Sequence, residues 1–310
     1  MMKKPVCYIL TGPTASGKTA LSVRLAKRLD CEIIAMDSMQ LYRGMDIGTA
    51  KPTPEEMQGI PHHMIDVADP GESFSVARYQ EMAEAAARDI LQRGKRVLYV
   101  GGTGFYLRAL RHPMAMGVVS GDEALREELQ RQADTPGGKE ALHRQLEQVD
   151  PDTAARLPVG DVRRVMRALE VFRLTGIPFS KQPAQEKEPP FDYRVISLDM
   201  DRALLYARIE KRVDEMLAQG LVEEVRRLLE QGVPPDCQAM KAIGYKEMLP
   251  VLRGECTLEA AVTELKKNTR HYAKRQLTWM RREEDVLWLD AMSPDTEERA
   301  FRWLREEEEA

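Results

Sequence analysis

Short apolar runs recur along the chain at 5–10, 32–36, 96–100, 194–199 and 286–289, and stretches of helical period lie between them. Strand and helix in alternation predict an α/β fold: a parallel sheet wrapped by helices, with chemistry at the carboxyl ends of the strands. The first three runs each lead through a small or polar residue into a loop, at Thr11, Asp37 and Gly101. From about 112 to 190 the rhythm breaks. The segments 123–133, 139–148 and 161–174 are amphipathic and helical, joined by Pro/Gly links at 136–138, 158 and 176–178. Pro183 and Pro189-Pro190 mark the return to the core. We therefore expect a core in two parts, 1–114 and 191–290, a helical insertion at 115–190, and an acidic tail at 291–310. The segment 257–282 reads as one long helix. Its apolar positions, from Leu258 and Ala261 through Leu265 and Tyr272 to Met280, follow a 3.6-residue period, while Lys266, Arg270 and Lys274 form an i, i+4 row elsewhere on its surface.

Charge gives that row its meaning. The formal net charge is −4, yet residues 283–310 carry eleven acids against three arginines. Positive charge is clumped instead, with seven Lys/Arg against one Glu at 264–282 and six against three acids at 161–187. A row of one sign repels itself unless a counter-charge is supplied, so the clumps predict a polyanion larger than a nucleotide. The cysteines Cys7, Cys31, Cys237 and Cys256 show no paired or metal-binding spacing, and His62-His63 would diverge in extended chain. A reducing cytoplasm and no zinc site are expected. No apolar run approaches a membrane-spanning length, and residues 1–5 lead straight into the first strand, so neither a span nor a signal peptide is expected.

The most specific chemical signal is Gly12-Pro13-Thr14-Ala15-Ser16-Gly17-Lys18-Thr19, set between the first strand and a helical pattern beginning at Ala20. This is the strand–GxxxxGK[ST]–helix context of a P-loop. Its backbone N–H groups and the helix N-terminus face phosphate oxygens, Lys18 adds a full charge, and the Thr19 hydroxyl is placed to ligate Mg²⁺. Asp37 closes the second run across from this loop, as an N-cap, a base or a group near the metal. The third run ends in Gly101-Gly102-Thr103-Gly104, where an ordinary P-loop NTPase carries a Walker B aspartate. The glycines permit close approach by a ligand, and Thr103 offers an uncharged hydroxyl. NTP hydrolysis becomes less attractive, although a nucleotide such as ATP still suits the P-loop.

Together these blocks resemble the tRNA dimethylallyltransferase family. The resemblance rests on GPTASGKT, the DSMQLY block at 37–42, GGTGFY at 101–106, DVRRVMRALEVF at 161–172, GYKEM at 244–248 and KRQLTW at 274–279, in the family's order over nearly the whole chain. It implies a P-loop NTPase-like core and transfer of a dimethylallyl group from its diphosphate to N6 of the adenine just 3′ of the anticodon in tRNA, by a monomer. Asp37 would accept the N6 proton, Thr103 would orient base and donor, and Arg208 and Arg212 would lie near the diphosphate. Ser38, Met39 and Gln40 would contact the extruded adenine. Arg126, Arg163, Arg164 and Arg167 of the insertion would grip the anticodon stem-loop. Lys241, Lys246, Lys266, Arg270, Lys274, Arg275 and Arg281 would hold further backbone phosphate. Two other readings remain: a small-molecule P-loop kinase, which leaves the basic patches idle, and a non-catalytic RNA-binding NTP sensor, which leaves the Asp37–Thr103 pairing idle.

Overall fold

The computed structural model describes residues 4–113, 121–182 and 188–305. Six strands form one sheet: β1 (Val6–Thr11), β2 (Cys31–Ala35), β3 (His62–His63), β4 (Arg96–Val100), β5 (Asp192–Asp199) and β6 (Val286–Asp290). Their order is β3-β2-β4-β1-β5-β6, and every pairing is parallel. The apolar runs are continuous because both faces are covered. Cys7, Ile9, Val97, Tyr99 and Val195 pack into the core on one face, while Tyr8, Leu10, Leu98, Ile196 and Leu198 pack into that on the other. In this order β1 lies centrally, between β4 and β5, so the loops leaving β1, β2 and β4 open onto one carboxyl edge.

Two compact units result: residues 1–111 with 189–310, and residues 112–188. The second is helical among its described residues, with helices Glu123–Ala133, Gly138–Val149, Pro151–Ala154 and Val162–Thr175. It buries its own core of Leu129, Leu142, Leu146, Val165 and Leu169.

Two expectations need correction. β3 occupies the His62-His63 pair, a two-residue edge strand with no apolar run to announce it. The two rings do diverge: His63 Nε2 lies 2.7 Å from Glu32, and His62 Nδ1 lies 2.8 Å from the Ile60 carbonyl. The segment expected as an acidic tail instead forms the helix Thr296–Arg305. Its Ala300 and Leu304 are buried in the same core as Leu21 and Leu25 of the P-loop helix, Lys18–Leu29. Its acids serve this packing. Glu297 pairs with Arg24 at 2.6 Å, and Glu298 with Arg28 at 2.8 Å. The acidic run 306–309 lies outside the described residues.

Candidate active site

The P-loop curls from the end of β1 into the Lys18–Leu29 helix. Ala15, buried within it, is held at φ +64°, a left-handed conformation costing about 1–3 kcal/mol at a non-glycine residue. Arg208, on the helix Arg202–Ala218, donates from Nε to the Ala15 carbonyl at 2.8 Å. Arg212, one turn on, reaches the Thr14 hydroxyl at 3.4 Å. Lys18 folds back to donate from Nζ to the carbonyls of Gly12 at 2.9 Å and Pro13 at 2.7 Å.

Three cations thus surround one loop. Burial, then the nearby Arg212 charge, pulls the Lys18 ammonium down to about 7 against the opposing pull of Asp37. Burial and Arg208 lower Arg212 in the same way. Each protonated cation makes the next less favourable, so the cluster suits a multiply charged anion. The buried Ser16 hydroxyl has no hydrogen-bond partner among the described residues and suits a phosphate oxygen.

Beside this loop lies a half of the site without cations, built on Asp37, Ser38 and Thr103. Thr103 Oγ1 accepts from the Ser38 N–H at 3.1 Å, and the Thr103 N–H donates to the Met36 carbonyl at 3.3 Å. Asp37 and Thr103 therefore share one edge. Asp37 Oδ1 accepts from the N–H groups of Met39 at 2.9 Å and Gln40 at 3.4 Å, so its capping role is real. Burial raises the Asp37 carboxyl above its ordinary range, opposed by those two bonds and by Lys18. A carboxylate so placed is a stronger base than one in water.

The glycines of 101–104 serve a purpose other than the one expected. A Cβ on Gly101 would lie 2.0 Å from the Met36 carbonyl oxygen, and one on Gly102 would lie 2.1 Å from Gln276 Nε2. The close approach is thus made by the protein itself. Gln276 is the residue that sequence reasoning passed over, although it stands inside the 274–279 block. Its Oε1 accepts from the Thr14 N–H at 2.8 Å and its Nε2 donates to the Gly102 carbonyl at 2.9 Å, tying the P-loop to the turn after β4. Tyr272, one turn earlier, has its hydroxyl beside Thr103 and Gln276. The available signal was a glutamine four residues from Tyr272 and from Met280, on the apolar stripe of the helix Leu258–Met280.

The expected polyanion contacts divide into several environments. Lys266 pairs with Asp214 at 2.6 Å and Arg270 with Glu210 at 2.6 Å. The premise that this row lacks counter-charge is wrong for these two, because the Arg202–Ala218 helix supplies both acids. Lys274 and Arg275 are exposed and take part in no ion pair among the described residues. With Arg282, His271, Thr278 and Trp279 they line a cleft of about 460 Å³. The exposed Phe105 ring lies 5.0 Å from Trp279. Arg281 stands 3.6 Å from Asp199, Lys241 is exposed, and Lys246 lies 3.6 Å from Glu247. Met39 packs against the core rather than standing free. Within residues 112–188, Arg163 and Arg164 are exposed, Arg164 lying 3.2 Å from Asp161. Arg126 and Arg167 converge on the buried Glu170, at 2.7 and 2.5 Å.

Comparison with known proteins identifies the family. A family model described as IPP transferase matches residues 40–283, and one described as isopentenyl transferase matches 5–69. A tRNA dimethylallyltransferase of Symbiobacterium thermophilum is 51% identical over 300 residues, 96% of this chain and 93% of the relative. One from Geobacillus thermodenitrificans is 49% identical over 288 residues, covering 93% and 91%. Among solved structures, a tRNA isopentenylpyrophosphate transferase of Bacillus halodurans superposes with TM-score 0.73 at 44% identity, covering 99% of each chain. A eukaryotic dimethylallyltransferase solved in snapshots of its action on tRNA superposes with TM-score 0.79 at 31% identity, covering 96% of this chain and 77% of that one.

Proposed function

Because this chain belongs to the IPP transferase family, we propose that its P-loop cradles the diphosphate of dimethylallyl diphosphate while Asp37 and Thr103 receive an adenine of tRNA. The enzyme transfers a dimethylallyl group to tRNA. The C1–O bond to diphosphate breaks, a C1–N6 bond forms at the adenine 3′ of the anticodon, and the displaced N6 proton passes to the Asp37 carboxylate. An exocyclic amine conjugated with its ring is a weak nucleophile, so a base within reach of that proton matters. The leaving group gathers negative charge as the carbon–oxygen bond stretches. Lys18, Arg208, Arg212 and the P-loop N–H groups oppose that charge from fixed positions around the loop. No water need be activated, which accounts for glycines and a threonine where a hydrolase carries an aspartate.

The donor set suits Mg²⁺. No group of three or more His, Cys, Asp or Glu among the described residues forms a metal cage, and Thr19 offers one hard oxygen at the helix N-terminus. A cation held by one hydroxyl, diphosphate oxygens and water is the usual Mg²⁺ pattern. When bound, it supplies further charge to the departing diphosphate. No helix among the described residues is long and apolar enough to cross a membrane. Action on tRNA would put the enzyme's work in the cytoplasm.

The observation that carries this reading is the junction of a three-cation P-loop with the Asp37–Thr103 edge. Incubating the enzyme with tRNA and either C1-labelled dimethylallyl diphosphate or γ-labelled ATP tests it. Prenyl label should become covalently fixed to tRNA. Transfer of phosphoryl label to a small acceptor would favour a kinase, and no transfer from either donor would favour a binding protein.

A further inference from the structure

Glu224 lies in the helix Leu221–Glu230, and its side chain is 1% exposed. Both of its oxygens are occupied. Oε2 accepts from the N–H groups of Asp46 at 3.1 Å and Ile47 at 2.9 Å, and Oε1 from the Gly48 N–H at 3.1 Å and the Tyr245 hydroxyl at 2.5 Å. Arg227 stands 3.8 Å away. Three consecutive N–H groups closing on one anion form a nest of the kind that elsewhere holds phosphate. Here it holds the protein's own carboxylate. Tyr245 completes the lock from beneath, since its ring leaves no room for a Cβ on Gly48, which would lie 2.4 Å from Cε2.

The next two residues carry the effect into the site. Gln40 Nε2 donates to the carbonyls of Thr49 and Ala50, each at 3.2 Å. Of the two ends of the glutamine amide only the NH₂ donates, so these bonds fix the amide's orientation and leave Oε1 to face a donor. Gln40 follows Asp37 by three residues, and its own N–H is held by the Asp37 carboxylate.

We propose that Glu224 is a positioning residue for the acceptor site: by clamping residues 46–48 it sets the Thr49 and Ala50 carbonyls that orient Gln40 against the incoming base. The proposal rests on the reading that Gln40 contacts the acceptor. It is tested by steady-state prenyl transfer with Glu224→Gln, Tyr245→Phe, Gln40→Ala and the Glu224→Gln/Gln40→Ala pair. Substitution of Glu224 should lower kcat/KM for tRNA about tenfold while KM for dimethylallyl diphosphate stays within about twofold, with a smaller loss in the same direction for Tyr245→Phe. In the Gln40→Ala background the Glu224 substitution should add almost nothing, because the group it orients is gone. If Gln40→Ala itself has no effect, the reading of Gln40 fails, and the proposal with it. If Gln40→Ala is impaired but the two substitutions multiply, Glu224 is merely structural. Should Glu224→Gln fail to fold, Tyr245→Phe carries the same cycle with Gln40→Ala, and multiplicative losses there overturn the proposal equally.

Discussion

Lys18 and Asp37 are pushed in opposite directions by the same burial, and each charge partly restores the other. The sign of the pH dependence follows. In the free enzyme, Lys18 loses its proton as pH rises through about 7, and attraction for diphosphate falls with it. As pH drops, Asp37 takes up a proton above the ordinary carboxylate range and can no longer accept one from N6. The profile of kcat/KM for the donor should therefore be bell-shaped, with its alkaline limb near neutrality. Asp37→Asn separates the two groups. The chemical step should slow by a factor on the order of 10²–10⁴, and the residual rate should lose its acid limb while its alkaline limb moves to lower pH, since the Asp37 charge no longer helps to hold the Lys18 proton. Asn caps about as well as Asp, so the bonds to Met39 and Gln40 survive the change. A near-normal single-turnover rate would leave Asp37 as a cap alone. Full rescue by excess Mg²⁺ would make it a group acting on the metal.

At the scale of an element, the helix Leu258–Met280 with the turn that follows it has two basic stretches in different surroundings. Lys266 and Arg270 are paired with acids of the neighbouring Arg202–Ala218 helix, whereas Lys274, Arg275 and Arg282 line the cleft beside Trp279. Replacing the latter three with alanine should weaken tRNA binding and flatten the plot of log affinity against log salt. The slope should fall by about 0.7–0.9 for each phosphate no longer neutralised. Replacing Lys266 and Arg270 should leave that slope nearly unchanged and cost at most about 1 kcal/mol of stability per pair, as for other half-exposed ion pairs. Equal slope changes from both sets would mean that RNA displaces the acidic partners. Periodicity made this helix legible in the sequence, but its counter-charges were not. Glu210 and Asp214 stand more than fifty residues earlier, and only the packing of two helices brings them across. Gln276 was hidden in a similar way. A lone polar residue on an apolar stripe shows that it is satisfied by something, without showing that its partners are Thr14 and Gly102.

Across the whole molecule, what the sequence displayed was whatever local pattern encodes: the five apolar strands, the P-loop, and the break in rhythm near residue 112. What it concealed depended on distant partners. The β3 edge strand is defined only by its pairing with β2, and the Thr296–Arg305 helix has its acids turned to Arg24 and Arg28. The two compact units carry separate cores, and their reporters are separate as well. All three tryptophans, Trp279, Trp288 and Trp303, belong to the larger unit, so tryptophan fluorescence follows that unit alone, while far-ultraviolet circular dichroism follows the helices of both. Residues 112–188 form a core of a size that supplies only about 3–5 kcal/mol without disulfides or metal. Urea unfolding should accordingly show a dichroism change at low denaturant to which fluorescence is blind. On the reading proposed above, dimethylallyl diphosphate, without tRNA to turn over, would bind at the P-loop of the larger unit. At a hundredfold excess over its Kd it should stabilise that unit by about 2.7 kcal/mol, moving the fluorescence midpoint upward while the early dichroism step stays in place. A single transition seen identically by both probes and shifted as one by the donor would show that the insertion folds only as part of the core. Its arginines would then be tied energetically to diphosphate binding rather than held on an independent module.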